Sequence, residues 1–190
     1  VISDEVYEKL VYDEAKHFSI GSFPEMAGRT VTVNSFSKTY AMTGWRVGYA
    51  VGPSRLIEEM VKVQQNTMVN APAVAQKAAL AGLIGPQDFV YEMVREYGYR
   101  RRYLVKHLNE IAGFNCALPK GAFYVFLGIS KTGLSSMEFA EALLRVGKVA
   151  TVPGTAFGSL GEGYLRLCYA TPVEKIDQAL DGIRKTVESL

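Results

Sequence analysis

Over residues 88–111 the sequence carries one apolar stripe at helical spacing, formed by Phe89, Met93, Tyr97, Leu104 and Leu108. At ~1.5 Å per residue, about 24 residues make a helix some 36 Å long, enough to bridge two domains. That helix divides the chain. Before it, residues 1–3 read as a strand end and residues 5–10 as a turn. Residues 17–28, with Gly21, Pro24 and Gly28, read as a loop, and the β-branched run 30–34 and the run 47–51 as strands. Ser54 is placed as the N-cap of a helix reaching about residue 66, with Leu56, Met60 and Val63 on one face. A second helix runs from about 71 to 84, with Pro72 in its first turn and Gly85-Pro86 as its stop. After the long helix, runs 123–127, 149–152 and 165–169 read as short strands. Ser135-x-x-Glu138 and Thr171-x-x-Glu174 read as capping boxes opening two helices, the second with Pro172 at its first position and Ile176, Leu180, Ile183 and Val187 inward. The pattern predicts the tail of an α/β domain over residues 1–90, then a linking helix and a small α+β domain over 91–190.

Charge gives little direction. Twenty-one basic against nineteen acidic residues leave a net +2, which offers no basis for binding nucleic acid or an anionic membrane. The cluster Arg100-Arg101-Arg102 is expected to be a solvated or salt-bridged helix face. Cys116 and Cys168 have no metal or CxxC spacing, and no apolar run nears the ~18 residues of a membrane span. A reducing, cytoplasmic setting is the expectation. The apolar opening Val1-Ile2-Ser3 reads as the end of a buried strand, so further chain is expected to precede it. Trp45 and Tyr49 are expected to pack, and His17 and His107 have no partner for catalysis or a metal visible in the sequence.

The chemistry concentrates in residues 35–49, where two hydroxyls, Ser35 and Ser37, flank Lys38, and Arg46 follows. Hydroxyls with a guanidinium suit a phosphate, and a lysine beside them can form a Schiff base with an aldehyde. By spacing alone, a strand-to-loop turn with a surface lysine is an equal alternative.

Ser35-x-Ser37-Lys38 followed by Gly44-x-Arg46-x-Gly48-Tyr49 resembles the cofactor-lysine signature of class I/II, fold type I, pyridoxal-phosphate-dependent aminotransferases. Asp4-x-x-Tyr7, Pro153-Gly154-x-x-Phe157-Gly158 and Arg166-Leu167-x-Tyr169-Ala170 are similar to further motifs of that family, so the resemblance spans the chain as a C-terminal half. It implies the C-terminal part of a fold type I large domain plus a small α+β domain, with pyridoxal 5'-phosphate (PLP) as cofactor. Lys38 would carry the Schiff base and move the Cα proton. Asp4 would pair with the pyridine nitrogen and Tyr7 with the phenolic oxygen. Ser35 and Arg46 would bind the phosphate, with Ser37 as a further donor, and Arg166 would hold the substrate α-carboxylate. The bland alternatives are a strand-end turn acid for Asp4, a core tyrosine for Tyr7 and a structural ion pair for Arg46.

The implied activity is amino-group transfer between an amino acid, aspartate-type as first choice, and a 2-oxo acid such as 2-oxoglutarate. A carbon–sulfur β-lyase on the same fold and a catalytically inactive fragment are the alternatives. The resemblance also implies a homodimer, and an N-terminal half supplying a phosphate loop, a ring-stacking aromatic residue and an asparagine.

Overall fold

A computed structural model describes all 190 residues. The chain forms two compact units, Val1–Val94 and Arg95–Leu190.

The first unit is built on a three-stranded sheet. β1 (Ile2–Asp4) leads through turns, a single turn of 3₁₀ helix (Ile20–Ser22) and the four-residue α1 (Pro24–Ala27) into β2 (Val31–Ser35). The segment expected as plain loop therefore holds two short helical turns. A short α2 (Phe36–Thr39) and a 3₁₀ turn (Thr43–Trp45) connect β2 to β3 (Gly48–Val51). β1 and β2 pair in parallel, with Asp4 opposite Val33, and β2 and β3 pair antiparallel, with Ser35 opposite Gly48. Two helices follow, α3 (Ser54–Thr67) and α4 (Ala73–Ile84). Small residues on α4 let it come close to the segment after β2: Ala75 and Ala79 pack with Phe36, Met42 and Val47. Each fully buried large side chain of this kind contributes about 1.5–3 kcal/mol.

Two expectations fail here. Ser54 is the first residue of α3 and caps nothing; the N-cap is Pro53, whose carbonyl accepts from Leu56 N at 2.8 Å. α4 likewise starts after Pro72. Proline suits this place because the N-cap needs an extended ψ and a free carbonyl, not an N–H. The apolar face of α3 exists, but no residue of that helix is buried; Leu56, Met60 and Val63 are exposed.

The division between the units falls inside α5 (Asp88–Asn109). In the second unit, β4 (Asn115–Cys116) and β5 (Tyr124–Gly128) precede α6 (Ser136–Ala142), which ends in a π-helical turn, Leu143–Gly147. β6 (Val152–Pro153), β7 (Tyr164–Cys168) and α7 (Val173–Glu188) complete it. The sheet is antiparallel in the order β4-β5-β7-β6. Its period of two separates the faces. Val125, Leu127, Leu165 and Leu167 are buried, as are Leu104 and Leu108 of α5, Phe139 of α6 and Ile176, Leu180 and Ile183 of α7. Tyr124, Phe126, Tyr164 and Arg166 belong to the more open face.

The Ser135 capping box forms in full. The one at Thr171 does not, because Pro172 takes the N-cap and Thr171 falls one residue outside. Of the expected strand 149–152 only Val152 pairs, and the pairing continues to Pro153 beyond it. The arginine cluster is a salt-bridged or solvated face at Arg100 and Arg102 but not at Arg101. Arg101 is 0% exposed and donates from Nη1 to Pro119 O at 2.6 Å, while Arg100 pairs with Glu96 at 2.8 Å. Arg101 stands three and seven residues before Leu104 and Leu108, so helical periodicity turns it inward with them.

The two cysteines differ in a testable way. Cys116 is 3% exposed, and burial pushes its thiol up to about 11, whereas Cys168 is exposed. At pH 8 the Cys116 thiol therefore stays protonated. Iodoacetamide is expected to modify one thiol in the folded protein, mapping to Cys168, and two in denaturant. Equal labelling of both in the folded state would contradict the buried placement.

Candidate active site

Parallel strands deliver their C-terminal ends to one edge of a sheet, and open α/β sheets bind ligands there. Asp4 ends β1, and Tyr7 lies in the turn after it. Ser35 ends β2, with Ser37 and Lys38 in the short helix beyond. Arg46 stands two residues before Gly48, the start of β3. Because Asp4 pairs with Val33 and Ser35 with Gly48, the chain places all six residues at this one end of the sheet.

The local contacts are specific. Ser35 caps α2: its Oγ accepts from Ser37 N at 3.1 Å and lies 2.9 Å from Ser37 Oγ. Lys38 is half-buried, and its Nζ stands 5.9 Å from the centre of the Tyr7 ring. Asp4 is exposed; one carboxylate oxygen accepts from Val6 N at 3.2 Å and the other is unshared. Arg46 is exposed, donates from Nη1 to Thr43 O at 2.6 Å and makes no ion pair. Its φ of 51° and ψ of 51° are left-handed, as is the φ of 52° at Ala41. Two such non-glycine residues in one loop mark backbone that its surroundings hold in place. Gly48 lets β3 pass close to Ser35, since a Cβ there would stand 2.6 Å from Asn34 O.

The sequence did not disclose the network just behind Asp4. Glu5 is 5% exposed and meets three side chains: Ser3 Oγ at 3.0 Å, Ser19 Oγ at 2.8 Å and His17 Nε2 at 2.9 Å. His17 thus has a partner, and so does His107, 2.8 Å from Glu110. Burial pushes the Glu5 carboxyl up, but hydrogen bonds from His17, Ser19 and Ser3 outweigh it and hold it below its ordinary value. A lowered folded-state pKa gives stability that is present above the ordinary 4.5 and lost as pH falls through the lowered value. Glu5→Gln is expected to cost about 1–3 kcal/mol near pH 7. It should also flatten the loss of stability below pH 4.5 in urea titrations. An unchanged acid slope would show that Glu5 is not held ionised. Trp45 and Tyr49, expected to pack, are 46% and 45% exposed, although Tyr49 keeps an edge contact with Phe36 at 6.0 Å.

Arg166 belongs to the second unit. It is half-buried on β7, and its guanidinium carbon lies over the rings of Tyr124 at 4.4 Å and Phe157 at 4.8 Å. None of its N–H groups makes a hydrogen bond or ion pair. A half-buried cation with unspent donors is a ready site for an anion.

The family model for aminotransferase class I and II matches residues 1–183. This chain belongs to the class I and II aminotransferase family. It is 50% identical over 189 residues to an aspartate aminotransferase of Pyrococcus abyssi, a match covering 98% of the chain and 48% of that relative. It is 46% identical over 190 residues to aromatic-amino-acid aminotransferase 2 of Thermococcus litoralis, covering 99% and 49%. Its structure superposes with a TM-score of 0.95 on an aromatic aminotransferase from Pyrococcus horikoshii, at 47% identity, covering 99% of this chain and 50% of that one. The chain spans about half the length of the curated relatives it matches.

Aminotransferases of this family are PLP-dependent, and the donor set at the β1–β2 edge fits that cofactor. An amine, a strand-end carboxylate with an unshared oxygen, two hydroxyls 2.9 Å apart and a guanidinium without an ion pair stand at one sheet edge. Neither Asp4 nor Arg46 is spent on a competing ion pair.

Proposed function

We propose that the protein carrying this chain transfers an amino group from an amino acid to a 2-oxo acid, with Lys38 as its catalytic residue. The observation that carries this reading is the placement of Asp4, Tyr7, Ser35, Ser37, Lys38 and Arg46 at one end of the first sheet. Bound PLP supplies an electrophilic carbon for the amino group and a conjugated ring that takes up electrons when Cα loses its proton.

The chain's own residues do the rest. Lys38 offers a primary amine, able to hold the cofactor's aldehyde carbon and, once released, to carry a proton away from the substrate Cα. The unshared oxygen of Asp4 holds a proton on the ring nitrogen, since a carboxylate beside it favours the charged form. Tyr7 donates to the phenolic oxygen. Ser35, Ser37 and Arg46 bind the phosphate, hydroxyls giving direction and the guanidinium charge. Arg166 takes the substrate α-carboxylate with its unspent donors.

Aspartate with 2-oxoglutarate is the substrate pair we infer, supported by the name of the Pyrococcus abyssi relative. A homodimer is part of the same reading. No helix is long and apolar enough to cross a membrane.

The test supplies PLP, L-aspartate and 2-oxoglutarate and follows glutamate and oxaloacetate. Formation of both in equal amounts is expected. Faster turnover of L-phenylalanine would move the substrate class to aromatic amino acids. Ammonia release without need of a 2-oxo acid would contradict transfer and favour a lyase.

A further inference from the structure

Arg166 poses a question that its role leaves open. A long side chain with unspent donors has several rotamers available, yet bidentate recognition of a carboxylate needs the guanidinium plane in one orientation. A neighbouring acid could fix the plane, but it would consume the donors and cancel the charge. No acid does so here.

We propose that Tyr124 and Phe157 are positioning residues that fix the Arg166 guanidinium for a carboxylate ligand, an inference that rests on the carboxylate role proposed above. Both rings lie under the guanidinium carbon, at 4.4 and 4.8 Å, within the range where the charge is drawn to an aromatic face. Rings drawn to the charge restrain where the guanidinium sits without putting an acid on its N–H groups, which stay available to the ligand. The rings are themselves braced. Tyr124 stands on β5, two residues from Phe126, which pairs across the ladder with Arg166. Phe126 meets Phe157 edge-on at 6.3 Å and stacks on Tyr164 at 4.8 Å with 6° between the planes. Phe157 closes the 3₁₀ turn Gly154–Phe157, whose first residue lies close against the backbone of Gly161. Tyr124, Phe126, Phe157 and Arg166 line one cavity of about 370 Å³ together with Ala117 and Pro119. It is an apolar recess with a single cation.

The experiment titrates the full chain, labelled with ¹⁵N-arginine, with sodium propionate at constant ionic strength. It follows the Arg166 Nε–H resonance, assigned by its loss in Arg166→Gln. Propionate carries a carboxylate but no amine, so it reports that contact alone. Tyr124→Leu and Phe157→Leu are each expected to weaken propionate binding roughly tenfold, the size of one such contact. Tyr124→Phe and Phe157→Tyr, which keep a ring, should stay within about twofold of the parent. Unchanged affinity in both leucine variants would overturn the positioning role while leaving the carboxylate reading intact. Equal losses in the ring-preserving variants would show general packing and overturn it as well. A parent resonance that propionate does not move would overturn both.

Discussion

Lys38→Ala is expected to lower amino-group transfer by on the order of 10⁴-fold, the upper range for losing a positioned proton-transfer group. The expectation follows from having one amine for two tasks, holding the cofactor carbon and moving the Cα proton. Lys38→Arg should be nearly as damaging, because a guanidinium keeps the charge but neither attacks a carbonyl nor gives up its proton near neutral pH. Lys38 is half-buried in a four-residue helix, and the neighbouring core is made by Phe36, Met42 and Val47. Both variants should therefore fold, with urea stability within about 1 kcal/mol of the parent. Steady-state rates measured beside urea titrations check this. A Lys38→Ala protein retaining more than a tenth of the rate would remove Lys38 from the reaction. Partial restoration by added methylamine would identify the lost group as an amine.

Gly161→Ala is the largest stability change expected, about 3 kcal/mol or more. Gly154 and Gly161 approach so closely that a Cβ on either would overlap the carbonyl of the other, and a Cβ on Gly154 would also stand 2.9 Å from Tyr164 O. These are backbone atoms, so no rotamer change relieves the clash. One of the two short turns must move, and Phe157 lies at the end of the first. The substitution should thus weaken propionate binding at Arg166 as well as lower urea stability. Gly28→Ala is the control, because Gly28 has an ordinary φ of −76° and no atom within 4 Å of the added carbon. It should shift stability by less than about 1 kcal/mol. A Gly161→Ala protein as stable as Gly28→Ala would show that the turn is looser than this.

Periodicity made much of the fold legible. The stripe through Leu104 and Leu108, the inward row Ile176, Leu180 and Ile183, and the β2 and β5 runs all correspond to elements of the structure. Helix starts were less legible. Pro53, Pro72 and Pro172 each occupy the N-cap, one place earlier than a rule putting proline inside the helix expects. The exposed apolar face of α3 also escaped, because a pattern shows that a face exists and not what covers it. Within the candidate site, the residues of the matched motifs were all visible in the sequence, since a dense local motif needs no tertiary knowledge. Glu5 with His17 and Ser19, and Arg166 with Tyr124 and Phe157, were not visible as pairs. Their partners lie in loops or on other strands, and loop pairing has no periodic signature.

Borohydride reduction of the protein with PLP, followed by peptide mass mapping, shows whether Lys38 holds the cofactor. One reduced pyridoxyl adduct is expected, on Lys38, and is lost in Lys38→Ala. A folded protein that carries the adduct on another lysine, or none on Lys38, would contradict that role.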